Sequence, residues 1–132
     1  MVSFSRWAVV LAAAMVGGCA TVAPIQNVDN ATVVSPAGTP LTAEQVRLSI
    51  VRAGAALGWA MKDAGPGKLT GVLVLRTHTA EVDIPYSTSN YSITYKSSIN
   101  LQESGGKMIH KNYNGWILNL NKGINAQLAL AS

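Results

Sequence analysis

Two carboxylates and two histidines are the residues of this 132-residue chain whose types and spacing could do acid–base or metal chemistry. Glu81 and Asp83 alternate within a stretch of strand character, so both side chains point to one face about 7 Å apart. That separation suits a general acid and base, or a cation site. Together with His78 or His110, they could form a small hydrolase or a metal-dependent enzyme.

The same residues have a structural interpretation, which we favour. Alternating carboxylates that face a lysine such as Lys96 across a hairpin are typical of the solvated side of a sheet. No third ligand accompanies the histidines at a spacing that metal sites use. The sequence also contains no Gly-x-Ser-x-Gly elbow and no phosphate-binding glycine loop. We therefore predict no catalytic residue, no metal and no cofactor.

A second group of residues suggests binding rather than catalysis. Tyrosine and asparagine side chains combine flat area with hydrogen-bonding tips, which suits contact with a protein or a glycan. The candidate binding surface consists of His110, Lys111, Asn112, Tyr113 and Asn114. The alternative is that these polar residues cap a helix and tie down its neighbouring loop. Tyr91 and Tyr95 share the parity of apolar neighbours, so we expect both in the core.

The single cysteine, Cys19, points to a covalent modification. It follows Val-Gly-Gly, and before these lies an apolar run from Trp7 with Arg6 ahead of it. This order has the form of a secretory signal peptide, and the run is too short to span a bilayer. A lone cysteine in an exported protein cannot close an intramolecular disulfide. Residues 16–19 resemble the lipobox of bacterial lipoproteins.

This resemblance implies that a diacylglycerol is attached to the Cys19 thiol, that residues 1–18 are removed, and that the new amino terminus is acylated. Two or more acyl chains anchor a protein stably in a membrane. Ala20 and Thr21 follow the cysteine, and the lack of aspartate there implies an outer-membrane location facing the periplasm, with the cell surface as the alternative. The expected partners are the membrane, through the lipid on Cys19, and an envelope protein or peptidoglycan.

Composition divides the remaining chain into a tether and one domain. Residues 19–40 contain three prolines and many small polar residues, which predicts a lipidated flexible tether. The alternative for this segment is a short edge strand over residues 32–34. Residues 41–132 have the length of a single domain. The formal net charge of +4 is modest and the charges are scattered, so we expect no nucleic-acid partner.

A first helix is predicted from Thr42, because Gln45 three residues later completes a capping box. Apolar residues then recur at helical spacing at Val46, Ile50, Ala53, Leu57 and Met61. This spacing predicts a helix that continues to the turn at residues 65–67. Gly54 and Gly58 would allow it to pack closely against another backbone.

Three strands are predicted next, over residues 69–76, 79–86 and 91–99. If residues 87–90 form the hairpin loop, Tyr86 faces Tyr91 and Glu81 faces Lys96. This register places the apolar faces of the second and third strands on the same side of the sheet. A short fourth strand is expected around residues 107–109.

A second helix, capped by Asn112 or Asn114, would carry an apolar face. That face consists of Tyr113, Ile117, Leu120, Ile124 and Leu128. Trp59 and Trp116, one on each helix, would anchor the layer between helices and sheet.

These elements predict an α+β two-layer sandwich, in which an antiparallel sheet of three to four strands packs against two helices in the order α-β-β-β-(β)-α. The tyrosine-rich run at residues 91–101 and the segment Ile-His-Lys-Asn-Tyr-Asn-Gly-Trp at 109–116 resemble small uncharacterised lipoproteins of Gram-negative bacteria over about residues 47–120. The resemblance implies export and this fold; it brings no enzyme activity and no known ligand with it, and so leaves the function open. We therefore predict a lipid-anchored envelope protein with a non-enzymatic binding or structural role. The alternatives are the enzyme described above and small-molecule binding between helices and sheet.

Overall fold

The computed structural model describes residues 21–36 and 38–131. The predicted signal peptide and Cys19 lie outside the described residues. The elements in chain order are β1 (Val22–Pro24), β2 (Val28–Thr32), α1 (Ala43–Ala56), β3 (Trp59–Asp63), β4 (Lys68–Leu75), β5 (His78–Pro85), β6 (Asn90–Ile99), β7 (Met108–His110) and α2 (Lys111–Leu130).

The main sheet is antiparallel and has five strands in the order β2-β6-β5-β4-β3, while β1 and β7 form a separate two-stranded sheet. Its inner face is buried, as Ala80, Val82 and Ile84 show. Tyr91 on the same face donates a hydrogen bond to Asn121 of α2. The predicted α+β class is confirmed, with one more strand in the main sheet than the largest number expected.

The first helix begins where the sequence predicts and ends earlier. Gln45 N donates to Thr42 Oγ1 at 3.1 Å, and Thr42 N donates to Gln45 Oε1 at 2.8 Å, which completes the capping box. The predicted continuation to Met61 is wrong, because α1 ends at Ala56 and the chain then turns at Gly58 with φ +89°. Only glycine adopts this conformation without strain, so it ends the helix.

The residues after this turn form β3, so Trp59 lies on a strand rather than on the predicted helix. Trp59 pairs with Leu73 of β4. Gly54 is closely packed, but against side chains rather than against the backbone that was predicted: a Cβ there would lie 2.5 Å from Met61 Cε and 3.3 Å from Trp59 Cβ. Gly54 therefore packs α1 against β3, and Gly58 serves the turn instead.

The predicted β5–β6 hairpin is confirmed, with one local difference. Tyr86 faces Tyr91, and Val82 pairs with Tyr95. A bulge between Glu81 and Val82 then shifts the register, so Glu81 pairs with Ser97 rather than with Lys96 as predicted. A bulge places two residues of one strand opposite one of its partner, which hairpin loop length alone does not reveal.

The flexible tether predicted over residues 19–40 is wrong for the described part of that segment. Val22–Pro24 pairs with β7, and Val28–Thr32 pairs with β6 as an edge strand. Ile25 packs against the core, and Val33 is buried. These few apolar residues, spaced among prolines and polar residues, bury enough surface to hold the segment on the domain. The domain therefore includes Val22–Pro24 and Val28–Thr32 rather than beginning at Leu41, and the edge strand covers residues 28–32 rather than 32–34.

The fourth predicted strand forms as β7, but it pairs with β1 outside the main sheet. The second helix begins two to four residues before the predicted caps, because His110 is its N-cap rather than Asn112 or Asn114. The apolar face predicted for this helix is confirmed, since all five of its residues are buried: Tyr113, Ile117, Leu120, Ile124 and Leu128. Trp116 lies on α2 as predicted and is half-buried.

Candidate functional site

The two carboxylates with catalytic potential lie on the outer face of the sheet in separate ion pairs. Glu81 Oε1 is 3.4 Å from Lys96 Nζ, and Ser97 Oγ donates to Glu81 Oε2 at 3.0 Å. The Ser97 hydrogen bond and the Lys96 ammonium hold the pKa of Glu81 below its usual value. Asp83 Oδ1 is 3.7 Å from Lys68 Nζ. Each carboxylate thus has its own cationic partner.

The two histidines use their Nδ1 atoms in hydrogen bonds with the backbone. His78 Nδ1 lies 2.6 Å from Asn100 O, and because a carbonyl only accepts, this nitrogen donates its proton. His110 Nδ1 instead accepts from Asn112 N at 3.2 Å, as the N-cap of α2. Both histidines line one small cleft of about 60 Å³. Its other lining residues are Leu101, Asn112 and Trp116.

Metal chemistry gains no support from this arrangement. Within residues 21–36 and 38–131, no three His, Cys, Asp or Glu side chains lie close enough together to hold a metal ion. Glu81 and Asp83 are engaged with lysines on neighbouring strands, and His110 needs an unprotonated Nδ1 for its cap. The structure therefore does not bring the predicted acid, base and histidine together as one group of ligands.

The candidate binding surface at residues 110–114 is only partly a surface. Lys111 and Asn112 are exposed, while His110 and Asn114 are half-buried. Tyr113 is fully buried, so its prediction as a surface residue is wrong. The reason is helical spacing, because Tyr113 precedes the buried Ile117 by one turn and lies on the same face of α2.

The polar groups of this segment attach the N-terminal strand to α2. Asn114 Nδ2 donates to Pro24 O at 2.9 Å, and Asn114 Oδ1 accepts from Gln26 N at 3.0 Å. Lys111 N donates to Thr21 O at 2.9 Å. His110 and Asn114 thus do the capping and loop-tying that was the structural alternative for these residues.

The tyrosines expected in the core are found there. Tyr91 is buried, and its hydroxyl donates towards Asn121 and towards Asn125 Oδ1 at 3.2 Å. Burial raises the pKa of Tyr91. Tyr95 is half-buried, and its hydroxyl hydrogen-bonds Ser98 Oγ at 2.8 Å. Both hydroxyls are thus used within the domain.

The cavity between the helices and the sheet is small. Its volume is about 60 Å³, and it is lined by Leu57, Trp59, Leu73, Trp116 and Asn119. Sites for small organic ligands usually enclose roughly 300 Å³ or more. A shallow cleft of about 280 Å³ lies instead at the loop end of the β5–β6 hairpin, beside Asn30, Ser87 and Asn90. The hypothesis of a ligand held between the layers gains no support from these volumes.

An exposed apolar group on the outer face was missed by sequence reasoning. The nearly continuous apolar run of β4 predicts burial on both faces, yet Val74 on the outer face is 64% exposed. Leu75 at the end of β4 is 46% exposed, but it has the inner-face parity of Leu69 and Leu73. Ile99 on β6 is 64% exposed. Strand register pairs Thr79 with Val74 on one side and with Ile99 on the other. The side chains of Val74, Thr79 and Ile99 therefore form one row across the outer face of the sheet. No local pattern signals this row, because it depends on strand pairing.

The chain has no significant match to a protein-family model, to a curated protein or to a solved structure. In the part of the chain that the structure describes, neither helix is long and apolar enough to cross a membrane.

Proposed function

We propose that this protein is anchored in the cell envelope by lipid on Cys19 and has a binding or structural role rather than an enzymatic one. The observation that carries the proposal is the position of the single cysteine, directly after the lipobox-like residues and directly before the folded domain. Two residues separate Cys19 from Val22, where β1 begins. A chain advances at most about 3.6 Å per residue, so Cys19 lies within about 7 Å of Thr21.

The bonds that hold Thr21 support this direct attachment. Thr21 O accepts from Lys111 N at 2.9 Å, and Thr21 Oγ1 donates to Gln102 Oε1 at 3.2 Å. The first described residue is therefore fastened to the start of α2 and to the segment after β6. A lipid on Cys19 would hold the domain at the membrane surface, without the flexible spacer that we expected from composition.

The engagement of the acidic and histidine side chains supports a non-enzymatic role. A general acid or base must reach the proton it transfers, at hydrogen-bond distance from the reacting group. Glu81 and Asp83 are instead paired with Lys96 and Lys68 on the outer face, and the His110 ring caps α2. We propose an outer-membrane location, with an envelope protein or peptidoglycan as the second partner.

Fatty-acid labelling of the full chain in a Gram-negative host tests the anchor. We expect the unaltered protein to incorporate a clickable palmitate analogue and to fractionate with membranes. Cys19→Ser should abolish labelling and release the protein into the periplasmic fraction. Thr21→Ser is the matched control, because it keeps both the cysteine and the hydroxyl that bonds Gln102. Membrane fractionation of Cys19→Ser, or an unlabelled parent protein, would contradict the proposal.

Crosslinking in intact envelopes tests the second partner. A photo-crosslinking amino acid placed at exposed positions on the hairpin loop, such as Thr88, should give a defined adduct of constant stoichiometry. The same probe at the buried Ile124 is the negative control for non-specific capture. If no exposed position gave an adduct, the binding role would be contradicted, and only the structural role would remain of the proposal.

A further inference from the structure

The start of the described chain lies at one end of the domain, where four segments meet. Thr21 is bonded to Lys111 at the start of α2. His110 N donates to Leu101 O at 2.7 Å, which joins α2 to the segment after β6. Because Cys19 is two residues before Thr21, a lipid on that cysteine would leave the chain at this end.

The β4–β5 turn belongs to the same end of the domain. His78 Nδ1 donates to Asn100 O at 2.6 Å, and Asn100 Nδ2 donates to Thr77 Oγ1 at 2.8 Å. These bonds fasten the turn to the end of β6, beside Leu101. We call this end of the domain the anchor end; it consists of residues 21, 74–79, 99–102 and 110–112.

The anchor end exposes a patch of aliphatic side chains. Val74 and Ile99 are each 64% exposed and flank Thr79 across three strands. Leu75 is 46% exposed as well, but it lies on the opposite face of β4 and does not belong to this patch. Single exposed apolar residues are normal on a protein surface, whereas several together mark a contact with another protein or with a membrane. The position of Cys19 favours the membrane.

The charge of the anchor end also fits a lipid surface. It contains Arg76 and Lys111, both exposed, and no Asp or Glu. Glu103 borders this end, one residue after Gln102, and Glu81 lies two residues from Thr79 in an ion pair with Lys96. The other acidic residues of the described chain lie further along it: Asp29, Glu44, Asp63 and Asp83. Exposed aliphatic side chains bordered by cations suit the boundary between acyl chains and anionic headgroups. Each cation near such a surface strengthens membrane partition by about fivefold.

We propose that the anchor end is a membrane-docking face, with Val74 and Ile99 dipping into the headgroup region and Arg76 and Lys111 beside the lipid phosphates. This proposal rests on the proposed lipidation of Cys19. Ten-residue β6 runs from the hairpin loop to this face, a distance of about 30 Å. Docking therefore holds the loop at residues 87–89 away from the bilayer and fixes the orientation of the domain.

Site-specific fluorescence on the lipidated full-length protein tests the orientation. A single new cysteine is placed at Ile99 or, as the matched control, at Thr88 on the distant loop, since a lipidated Cys19 has no free thiol. The purified proteins carry a solvatochromic dye and are reconstituted into vesicles of phosphatidylethanolamine and phosphatidylglycerol. We expect the dye at 99 to be blue-shifted and quenched by nitroxide-labelled lipid, and the dye at 88 to be quenched by aqueous iodide. Equal access of the two quenchers to both positions would overturn the docking face.

A charge-reversal pair separates electrostatic docking from simple proximity. Arg76→Glu with Lys111→Glu should weaken lipid quenching at position 99, while Arg52→Glu with Lys122→Glu, on the exposed faces of the helices, should not. Unchanged quenching in the first pair would contradict the role of the two cations.

The two proposals fail in different ways. Intact mass measurement of the parent protein shows whether Cys19 is acylated. An unmodified Cys19 contradicts the proposed anchor and, with it, the docking face. An acylated protein whose dyes at 99 and 88 behave alike contradicts the docking face alone.

Discussion

Tyr95 and Tyr113 meet edge to face in the core, with ring centroids 5.6 Å apart and ring planes at 84°. Their hydroxyls differ, because that of Tyr95 bonds Ser98 at 2.8 Å and that of Tyr113 is buried without a hydrogen-bond partner among the described residues. Burial, and secondarily the nearby Tyr95, raises the pKa of Tyr113 above its ordinary value. The Tyr113 ring thus stabilises the core by packing, whereas its hydroxyl is desolvated without compensation.

Replacing this tyrosine by phenylalanine should therefore stabilise the protein. An unpartnered buried hydroxyl costs about 1–3 kcal/mol, of which a substitution recovers a part. We expect Tyr113→Phe to raise the free energy of unfolding by about 1 kcal/mol at pH 7, measured by urea denaturation. Tyr91→Phe is the matched control, because it removes the hydrogen bonds to Asn121 and Asn125 and should lower that free energy by about 1 kcal/mol. Equal destabilisation by both substitutions would contradict the assignment of an unpartnered hydroxyl.

Tyr113→Phe should also change how the stability of the protein depends on pH in the alkaline range. Because the pKa of Tyr113 is raised in the folded state, the unfolded chain loses this proton first, and the stability of the parent protein falls as pH rises above the ordinary value of 10.0. Tyr113→Phe removes this group and should flatten the alkaline decline, as urea midpoints at pH about 8 and about 10.5 would show. An unchanged slope would argue against a buried, neutral Tyr113.

The N-cap at His110 should tolerate asparagine and not alanine. His110 Nδ1 accepts from Asn112 N, and loss of such a cap costs about 1 kcal/mol. We expect His110→Ala to lower the free energy of unfolding by about that amount, and His110→Asn, whose side-chain oxygen also accepts, to retain most of it. Thermal denaturation of the two variants distinguishes a cap from a binding residue, because a residue used only for binding would leave both variants as stable as the parent.

Asn114 should hold the N-terminal strand on the domain. Its side chain makes two hydrogen bonds to the backbone of Pro24 and Gln26, so Asn114→Ala should lower the free energy of unfolding by about 1–2 kcal/mol. Hydrogen exchange should be faster at the Gln26 amide and unchanged in β5, because the lost contacts are local. The control is Asn112→Ala, at an exposed neighbouring position. Slow exchange at Gln26 in Asn114→Ala would contradict this role.

The ion pair on the outer face should contribute to stability only above acidic pH. The hydrogen bond from Ser97, followed by the charge of Lys96, lowers the pKa of Glu81 in the folded protein from the ordinary value of 4.5. Its contribution is therefore fully present above that value and is lost as pH falls through the folded pKa. We expect the stability difference between the parent and Glu81→Gln to shrink between about pH 5 and about pH 3, in urea titrations. Ser97→Ala should show the same trend, and a difference independent of pH would contradict the mechanism.

Local patterns in the sequence predicted the elements whose signals lie within a few residues. The capping box of Thr42 and Gln45 marks the start of α1, and the alternation around Tyr91 and Ile93 marks β6. The predicted end of α1 was too late because Leu57 and Met61 continue the helical spacing past Gly58, although a glycine there is itself a local signal for a helix end. The structure ends α1 before Gly58, whose φ of +89° turns the chain into β3, and β3 pairs with β4.

The candidate site shows the same division. Most of residues 110–114 have polar side chains, which are typical of a protein surface. The helical period, however, already places Tyr113 on the same face as the buried Ile117. The roles of His110 and Asn114 depend on backbone groups elsewhere, such as Pro24 O, which lies 90 positions away in the chain. Contacts over such a separation leave no trace in local composition, so polarity alone suggested a binding surface.

The sequence by itself determined the α+β class, the β5–β6 hairpin and the buried face of α2, because each depends on periodicity within a short segment. The tertiary structure alone decided that Val22–Pro24 pairs with β7 and Val28–Thr32 with β6, and that Val74 and Ile99 lie exposed in one row beside Thr79. The physical reason is that strand pairing satisfies backbone hydrogen bonds between segments far apart in the chain. Which residues lie beside Thr21 follows from that pairing.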